Sequence, residues 1–367
     1  MNPRRVAARV LLAGTFLLAA AMPALAAPSA DSLSIAQQRA NLALEDLTVW
    51  NGPTTGPEAA TGKTIAFVAS DLKNGGVKGA LNGVEEAAEA IGWKLQVFDT
   101  ASNDEDRKKA LLDIAAAHFD GVIFAGFDAT PYAPWIDNVA AAGMTVIGWH
   151  AAYEPGIVPG TQLFTNVASS AREVALAAAS YAVVKSGGAG GFVIFTDSRF
   201  SVAQAKTDDM ATIVKNCPGC QLLSIEDVRL DRTAEDMPAR LENLDRQFGD
   251  RWTVNLGIND LYFDAMAALP DARADLVNIS AGDGSTSAFL RVGTGLGQTA
   301  TVAEPLNLQG WQLIDELNRA FHNERPSGYV PRPRLFTSGN LAGAVGEDFF
   351  FDPPNGYRQA YRRIWGK

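Results

Sequence analysis

Polar and aromatic side chains stand directly after the short apolar segments of this chain. Trp149 and His150 end the segment "TVIGWH", and His150 is one of only three histidines. Other positions of this kind are Asp71, Asn74, Asp128, Asn166, Asp197, Arg199, Asn259, Asp260, Asp283 and Glu304. Carboxylates, amides and an imidazole can hydrogen-bond a polar small molecule, and an indole ring can stack on it. Each residue alone fits a turn or a helix N-cap equally well, but the pattern as a whole predicts a binding site.

From Thr64 onward, short apolar segments alternate with amphipathic segments of helical period. The apolar segments are "TIAFVAS", "KLQVF", "GVIFAG", "MTVIGWH", "GFVIFTD", "QLLSI", "TVNLGIN" and "LVNISAG". Strands that are apolar throughout and separated by helices predict parallel sheets covered on both faces. Two successive series of this length predict an α/β protein with two doubly wound lobes. Ligands of such sheets bind beyond the carboxyl ends of the strands, so we expect the site in a cleft between the lobes.

Residues 1–26 are interpreted as a cleavable export signal. Arg4, Arg5 and Arg9 precede an apolar stretch that is too short to span a membrane, and residues 24–26 offer a small-residue cleavage site. Loss of this leader removes three arginines and no acids, which changes the formal net charge from −10 to −13. This acidic balance disfavours nucleic acid and anionic lipid as partners.

Cys217 and Cys220 occur together in "NCPGC". In an exported chain such a pair first predicts a disulfide, with a redox pair or a metal site as alternatives. A redox pair needs its reactive thiol at a helix N-terminus, whereas this pair follows the helical segment "DDMATIVKN". The three histidines show no metal-ligand spacing, and no hydrolase motif is present. No metal, cofactor or catalytic residue is therefore predicted.

From Thr64 to about Gly339 the chain resembles the periplasmic sugar-binding proteins of the ribose/galactose-binding type, the solute receptors of ABC importers. The resemblance rests on "SDLKNGGVKG", "LFTNVASSAREVA", "GINDLYFDAM", "SAGDGSTSA" and "TVAEPLNLQGWQ". It implies the type I periplasmic binding protein fold, in which three crossing strands form a hinge between two lobes. It also implies a monomer in the periplasm that binds a small molecule without changing it and delivers it to an ABC permease.

The resemblance also suggests domain boundaries. The N-terminal lobe is predicted to comprise residues 63–165 and 305–334, and the C-terminal lobe residues 166–304 and 335–340. Residues 27–62 precede the lobes as an arm or linker, and residues 341–367 form a C-terminal extension whose aromatic residues cover a lobe.

Several side chains match ligand-binding positions of the family. Asn74, Asn259 and Asp283 match residues that bind sugar hydroxyls, and Glu304 stands where the family usually has glutamine. The predicted ligand-binding set is Asp71, Asn74, Trp149, His150, Asp197, Arg199, Phe200, Gln204, Asn259, Asp283 and Glu304.

Departures from the family pattern change the expected ligand. Trp149 and His150 replace the Asp-Arg pair of ribose binders, and Gly76 and Val77 replace paired phenylalanines. These changes make a ribose-like ligand doubtful, and a different sugar or a polyol is expected. Aromatic alcohols, amines and nucleosides stay open as alternatives. A sensor subunit that presents its ligand, or an exported enzyme on the same scaffold, is a further possibility.

The family's arginine on the first helix of the second lobe aligns with Gln204. Lys206 lies a half-turn further along the same helix. Gln204 is therefore the residue predicted to bind the ligand from this helix.

Overall fold

The computed structural model describes residues 30–267, 273–342, 345 and 350–367. The predicted export signal lies outside them. The strands are β1 (Thr64–Ala69), β2 (Lys94–Asp99), β3 (Gly121–Ala125), β4 (Thr145–Trp149), β5 (Leu163–Val167), β6 (Ala189–Thr196), β7 (Gly219–Asp227), β8 (Trp252–Gly257), β9 (Val277–Ser280), β10 (Ala300–Ala303) and β11 (Arg334–Thr337). The helices are α1 (Ala30–Leu44), α2 (Gly75–Ile91), α3 (Asp104–Ala116), α4 (Ala133–Ala141), α5 (Ala171–Lys185), α6 (Ser201–Lys215), α7 (Thr233–Phe248), α8 (Leu261–Ala267), α9 (Thr286–Thr294), α10 (Leu306–Phe321) and α11 (Tyr357–Trp365).

The strands form two separate sheets. The N-terminal lobe contains the order β2-β1-β3-β4-β5, in which all neighbours are parallel. The C-terminal lobe contains the order β11-β10-β9-β8-β6-β7, in which only β10 and β11 are antiparallel. The predicted α/β architecture of two doubly wound lobes is confirmed.

Helix α2 illustrates how the local sequence sets the ends of these elements. Its N-cap, Asn74, accepts a hydrogen bond from the backbone N–H of Gly76, which satisfies a free donor of the first turn. Its C-cap, Gly92, has φ 89°, a left-handed conformation that glycine adopts without a steric penalty. The helix therefore begins directly after β1 and holds the residues of its first turn at the carboxyl edge of the sheet.

Three segments cross between the lobes within the predicted fold. The first segment follows β5, the second precedes α10 and the third precedes β11. Strand β5 and helix α10 pack in the N-terminal lobe, whereas α5, β10 and β11 pack in the C-terminal lobe. These segments form the hinge.

The N-terminal arm adds a fourth crossing. Helix α1 packs against α5 and β11 of the C-terminal lobe. Trp50 lies 5.2 Å from Tyr329 and 5.4 Å from Tyr361 between ring centroids, and the N–H of Ala59 donates to the carbonyl of Trp365. The arm therefore spans from one lobe to the other.

The C-terminal extension adds a fifth crossing. Phe351 packs edge-on against Phe336 in the C-terminal lobe. Helix α11 buries Tyr361 and Trp365 in the core of the N-terminal lobe, where Trp365 stacks on Trp311. The extension thus contributes to both lobes, whereas the sequence predicted that it covers one.

Cys217 and Cys220 are joined by a disulfide directly after α6. The redox alternative would have required a helix N-terminus, and the pair lies at a helix C-terminus instead.

Within the described part of the chain, every helix is too short or too polar to cross a lipid bilayer.

Candidate functional site

The carboxyl ends of strands from both sheets meet at a cavity of about 640 Å³ between the lobes. Residues of both lobes line it. Eight members of the predicted ligand-binding set line this cavity: Asp71, Asn74, Trp149, His150, Arg199, Phe200, Asn259 and Asp283. The fold therefore brings together side chains that lie more than two hundred residues apart in the sequence.

His150 is held in place by a buried carboxylate from the hinge. Its Nε2 lies 3.0 Å from Oε2 of Glu304, which is 1% exposed. The same oxygen accepts from the backbone N–H of Ser169 (3.1 Å) and from Gln309 Nε2 (2.9 Å). A carboxylate oxygen can only accept, so Nε2 of His150 carries a proton and donates it to Glu304.

The backbone at His150 adopts an uncommon conformation. Its φ is 48°, in the left-handed region, which costs a non-glycine residue about 1–2 kcal/mol. The ring stacks on Trp149 with 4.3 Å between centroids, and Trp149 Nε1 donates to Gln309 Oε1 at 2.7 Å. The hydrogen bonds and stacking hold both rings at the cavity wall, at the end of β4.

Lys206 adds a buried charge that the predicted set omitted. It is 3% exposed, lines the cavity, and has its Nζ 3.8 Å from Oε1 of Glu304. The sequence contains a signal for it, since Ala203, Lys206 and Met210 occupy the buried stripe of α6 at spacings of three and four. A lysine in such a stripe needs a polar partner. Its partners come from distant parts of the chain.

Asn259 and Asp283 complete the polar end of the cavity. Asn259 Nδ2 donates to Asp283 Oδ2 at 2.7 Å, and Asn259 Oδ1 accepts from the N–H of Leu261 at 3.0 Å. Together, His150, Lys206, Asn259 and Asp283 are called the floor of the cleft below. The floor combines donors and acceptors from the residue that follows β4, from α6 and from two loops of the C-terminal lobe.

Asp283 at the floor and Glu304, which lies behind it outside the cavity lining, have opposite pKa shifts. Burial raises the pKa of Asp283, although the charges of Lys206 and His150 oppose this effect. Burial alone would also raise the pKa of Glu304, but the charge and hydrogen bond of His150, with Lys206 and Gln309, hold that pKa well below its usual range. Glu304 is therefore ionised, with three protein donors around its Oε2 and the ammonium of Lys206 3.8 Å from its Oε1.

Asp197, Gln204 and Glu304 do not line the cavity. Asp197 is fully buried and accepts two hydrogen bonds from the guanidinium of Arg199, at 2.9 and 2.6 Å. Gln204 donates to the carbonyl of Ser198. These residues support the loops that carry Arg199 and His150, so a contact with the ligand would be indirect.

Asp260, which the sequence left ambiguous, also has a supporting role. Its Oδ2 accepts from the N–H groups of Gly284 (3.0 Å) and Ser285 (3.1 Å), and its Oδ1 accepts from Gln298 and Thr301. It thereby fixes the loop that presents Asp283.

A metal ion does not fit this site. Ligand atoms of His150, Asp283 and Glu304 lie within 4.8 Å of one another. However, the Glu304 oxygen that faces His150 already accepts three protein hydrogen bonds. The Lys206 ammonium beside them would repel a divalent cation.

Residues 65–324 match the sequence pattern of the family described as "Periplasmic binding protein domain". The chain belongs to this family. None of the curated proteins matches the chain.

Solved structures of similar fold include a myo-inositol binding protein, a sugar transporter subunit and a solute-binding protein. A myo-inositol binding protein from Caulobacter is 20% identical, with a TM-score of 0.66, and the alignment covers 78% of this chain and 96% of that one. An ABC sugar transporter subunit from Rhodobacter sphaeroides is 18% identical, with a TM-score of 0.65 and coverage of 76% and 99%. A solute-binding protein from Burkholderia graminis in complex with D-arabinose is 13% identical, with a TM-score of 0.67 and coverage of 78% and 98%. At these identities the similarity establishes the fold of this periplasmic binding protein.

Proposed function

We propose that this chain is the periplasmic solute-binding protein of an ABC importer and that it captures a small polyhydroxylated molecule, a sugar or a polyol. The observation that carries the proposal is the cleft floor, where Lys206, His150, Asn259 and Asp283 offer hydrogen-bonding groups inside one cavity between two lobes. Family membership and the sugar or polyol ligands of the structural neighbours support it.

The charges around the cavity favour a neutral ligand. Five carboxylates and four lysine or arginine side chains line it, so the two signs nearly balance: Asp71, Asp104, Asp128, Asp231 and Asp283 against Lys73, Arg107, Arg199 and Lys206. A hydroxyl group both donates and accepts, so a vicinal diol matches a lysine donor beside a carboxylate acceptor. A cationic amine would meet Lys206 at the floor, which disfavours that alternative.

Capture would proceed by closure of the lobes on the ligand. The N–H of Ser201 in the C-terminal lobe donates to Asp128 Oδ2 in the N-terminal lobe at 2.9 Å, so the lobes already contact each other across the cleft. A ligand that binds residues of both lobes stabilises this closed form relative to an open one. The closed form is then the one that an ABC permease would recognise.

The proposal is tested by ligand-induced thermal shift and calorimetry on the full-length mature protein. Probes are myo-inositol, D-arabinose and D-galactose, with tyramine, benzyl alcohol and adenosine for the alternative ligands. Lys206→Met and Asp283→Ala are expected to remove the response to the sugar or polyol that binds the wild type. Their matched controls on the exposed side of α6, Lys215→Met and Asp208→Ala, should keep it.

A normal response in Asp283→Ala would contradict the placement of the site. Binding only of an amine or nucleoside would contradict the ligand class. Recovery of the bound sugar in altered form, measured by NMR, would contradict the receptor function and favour an enzyme.

A further inference from the structure

The cavity includes a second region, which is lined by residues other than those of the floor. Arg107, Phe127, Asp128 and Tyr132 of the N-terminal lobe and Phe200 of the C-terminal lobe line this region, which is called the outer compartment below. Phe200 packs against the hydrophobic core of the opposite lobe. The outer compartment is therefore enclosed by both lobes, as the floor is.

Arg107 is held flat within the outer compartment. It is 9% exposed, and its guanidinium carbon lies 4.2 Å from the centroid of the Phe127 ring. Its Nη1 donates to the hydroxyl of Tyr132 at 2.6 Å, and that hydroxyl donates to Asp104. Among the described residues, its buried Nε has no hydrogen-bond partner.

Asp128 presents the complementary group. Its Oδ2 accepts from Ser201, but its buried Oδ1 has no partner among the residues that the structure describes. An unpaired buried donor or acceptor costs about 1–3 kcal/mol. Arg107 thus has one unpaired buried donor and Asp128 one unpaired buried acceptor, and both residues line a region that also has aromatic side chains.

This combination matches a neutral hydroxylated ring. A hydroxyl pair can supply both an acceptor for Arg107 and a donor for Asp128. The apolar face of a sugar ring packs on aromatic side chains such as Phe127 and Phe200. An anionic group would meet the carboxylates of Asp128 and Asp104, and a cationic group would meet Arg107, so either charge is disfavoured.

We propose that the ligand is longer than one sugar ring: one hydroxylated unit binds at the floor and a second occupies the outer compartment. This inference rests on the proposed function, and it narrows the ligand class to disaccharides and glycosides of polyols.

Isothermal titration of the full-length mature protein tests this inference with matched probes. The single units are D-glucose, D-galactose, L-arabinose and myo-inositol, and the two-unit ligands are maltose, cellobiose, melibiose, lactose and galactinol. We expect the best two-unit ligand to bind about tenfold or more tightly than the best single unit, because only it contacts both compartments.

The Asp128→Asn variant tests ligand binding in the outer compartment and keeps the contact between the lobes. The amide oxygen of asparagine can still accept from Ser201, whereas its amino group replaces the unpaired acceptor by a donor. We expect this variant to lower the affinity for the two-unit ligand about tenfold and to leave single-unit binding within about twofold. Arg107→Lys, which keeps the charge but lacks the planar Nε–H group, should act in the same way. The exposed Lys109→Ala on the same helix should change neither affinity.

The outcomes distinguish the two proposals. If a single unit binds as tightly as every two-unit ligand, or if Asp128→Asn weakens both kinds of ligand equally, the outer compartment is not a subsite and the proposed function stands. If no member of either set binds, the proposed function and this inference both fail.

Discussion

Gly76, in the first turn of α2, lies directly against the carboxylate of Asp283 from the opposite lobe. A Cβ atom added at residue 76 would overlap that carboxylate, and a Cβ at Gly75 would lie 2.6 Å from the Cβ of Ser285. The lobes therefore approach each other here because two successive residues of α2 lack side chains. These glycines allow the C-terminal lobe to bring Asp283 next to the N-terminus of α2.

The contact predicts that Gly76→Ala impairs closure without impairing the fold. Alanine favours the helix more than glycine, but its methyl group must displace Asp283 before the lobes can meet. We expect the affinity for the cognate sugar or polyol to fall about tenfold or more, a cost of about 1.4 kcal/mol, with little change in the melting temperature of the free protein. Calorimetry and thermal unfolding measure the two quantities.

Gly293→Ala provides the matched control. This glycine also lies in a helix, but an added Cβ would meet only Leu341, at 3.6 Å. We expect the Gly293→Ala variant to bind the cognate sugar or polyol with the affinity of the wild type. Unchanged affinity in Gly76→Ala would show that closure does not need this contact.

The lowered pKa of Glu304 predicts an acid-dependent loss of stability. A carboxylate whose folded pKa lies below its unfolded value stabilises the protein above the unfolded pKa, and this contribution is lost as the pH falls. We expect Glu304→Gln to lower the free energy of unfolding by about 3 kcal/mol at neutral pH, since it leaves the charges of the buried cluster unpaired. The difference in the free energy of unfolding between the wild type and this variant should shrink as the pH falls below about 5. Urea unfolding at several pH values measures this difference.

Glu316→Gln gives a control of opposite sign. Burial raises the pKa of Glu316, so its protonation stabilises the folded form as the pH falls. The free energy of unfolding of the wild type should therefore rise relative to that of this variant as the pH falls. A gap for Glu304→Gln that stays constant with pH would contradict the assigned charge state of that residue.

The two added crossings predict a hinge with restricted opening. The arm and the extension each have their ends packed in different lobes, so a wide opening would stretch both segments. Insertion of a short Gly-Ser segment between Pro354 and Asn355 leaves both packed ends of the extension in place and relaxes the restraint that the extension imposes. We expect a broader distribution of interlobe distances in the ligand-free protein, measured between spin labels at Lys109→Cys and Arg246→Cys.

The same insertion between Pro159 and Gly160 is the control, because these exposed residues lie in a loop within one lobe. It should leave the distance distribution unchanged. An unchanged distribution for the insertion at Pro354 would show that the extension does not limit opening.

Local sequence patterns were sufficient to predict the helices and strands and many of the residues that line the cleft. The strands that end at Ala69 and Trp149 are apolar after their first residue, a pattern typical of strands that are buried on both faces. Once the sheets are parallel, the residues after such strands must lie at one edge. Asn74, His150 and Asp283 were predicted on this basis, and they share one cavity.

The sequence by itself determined which side chains stand at the strand ends, because strand period and helix caps depend on neighbours in the chain. Only the tertiary structure decided which of them face the cavity. It turned Glu304 and Asp197 inward as supports and brought Lys206 to the floor. It also placed the arm and the extension across both lobes. These outcomes depend on contacts between residues far apart in sequence, where burial and the pairing of charges select one partner among many.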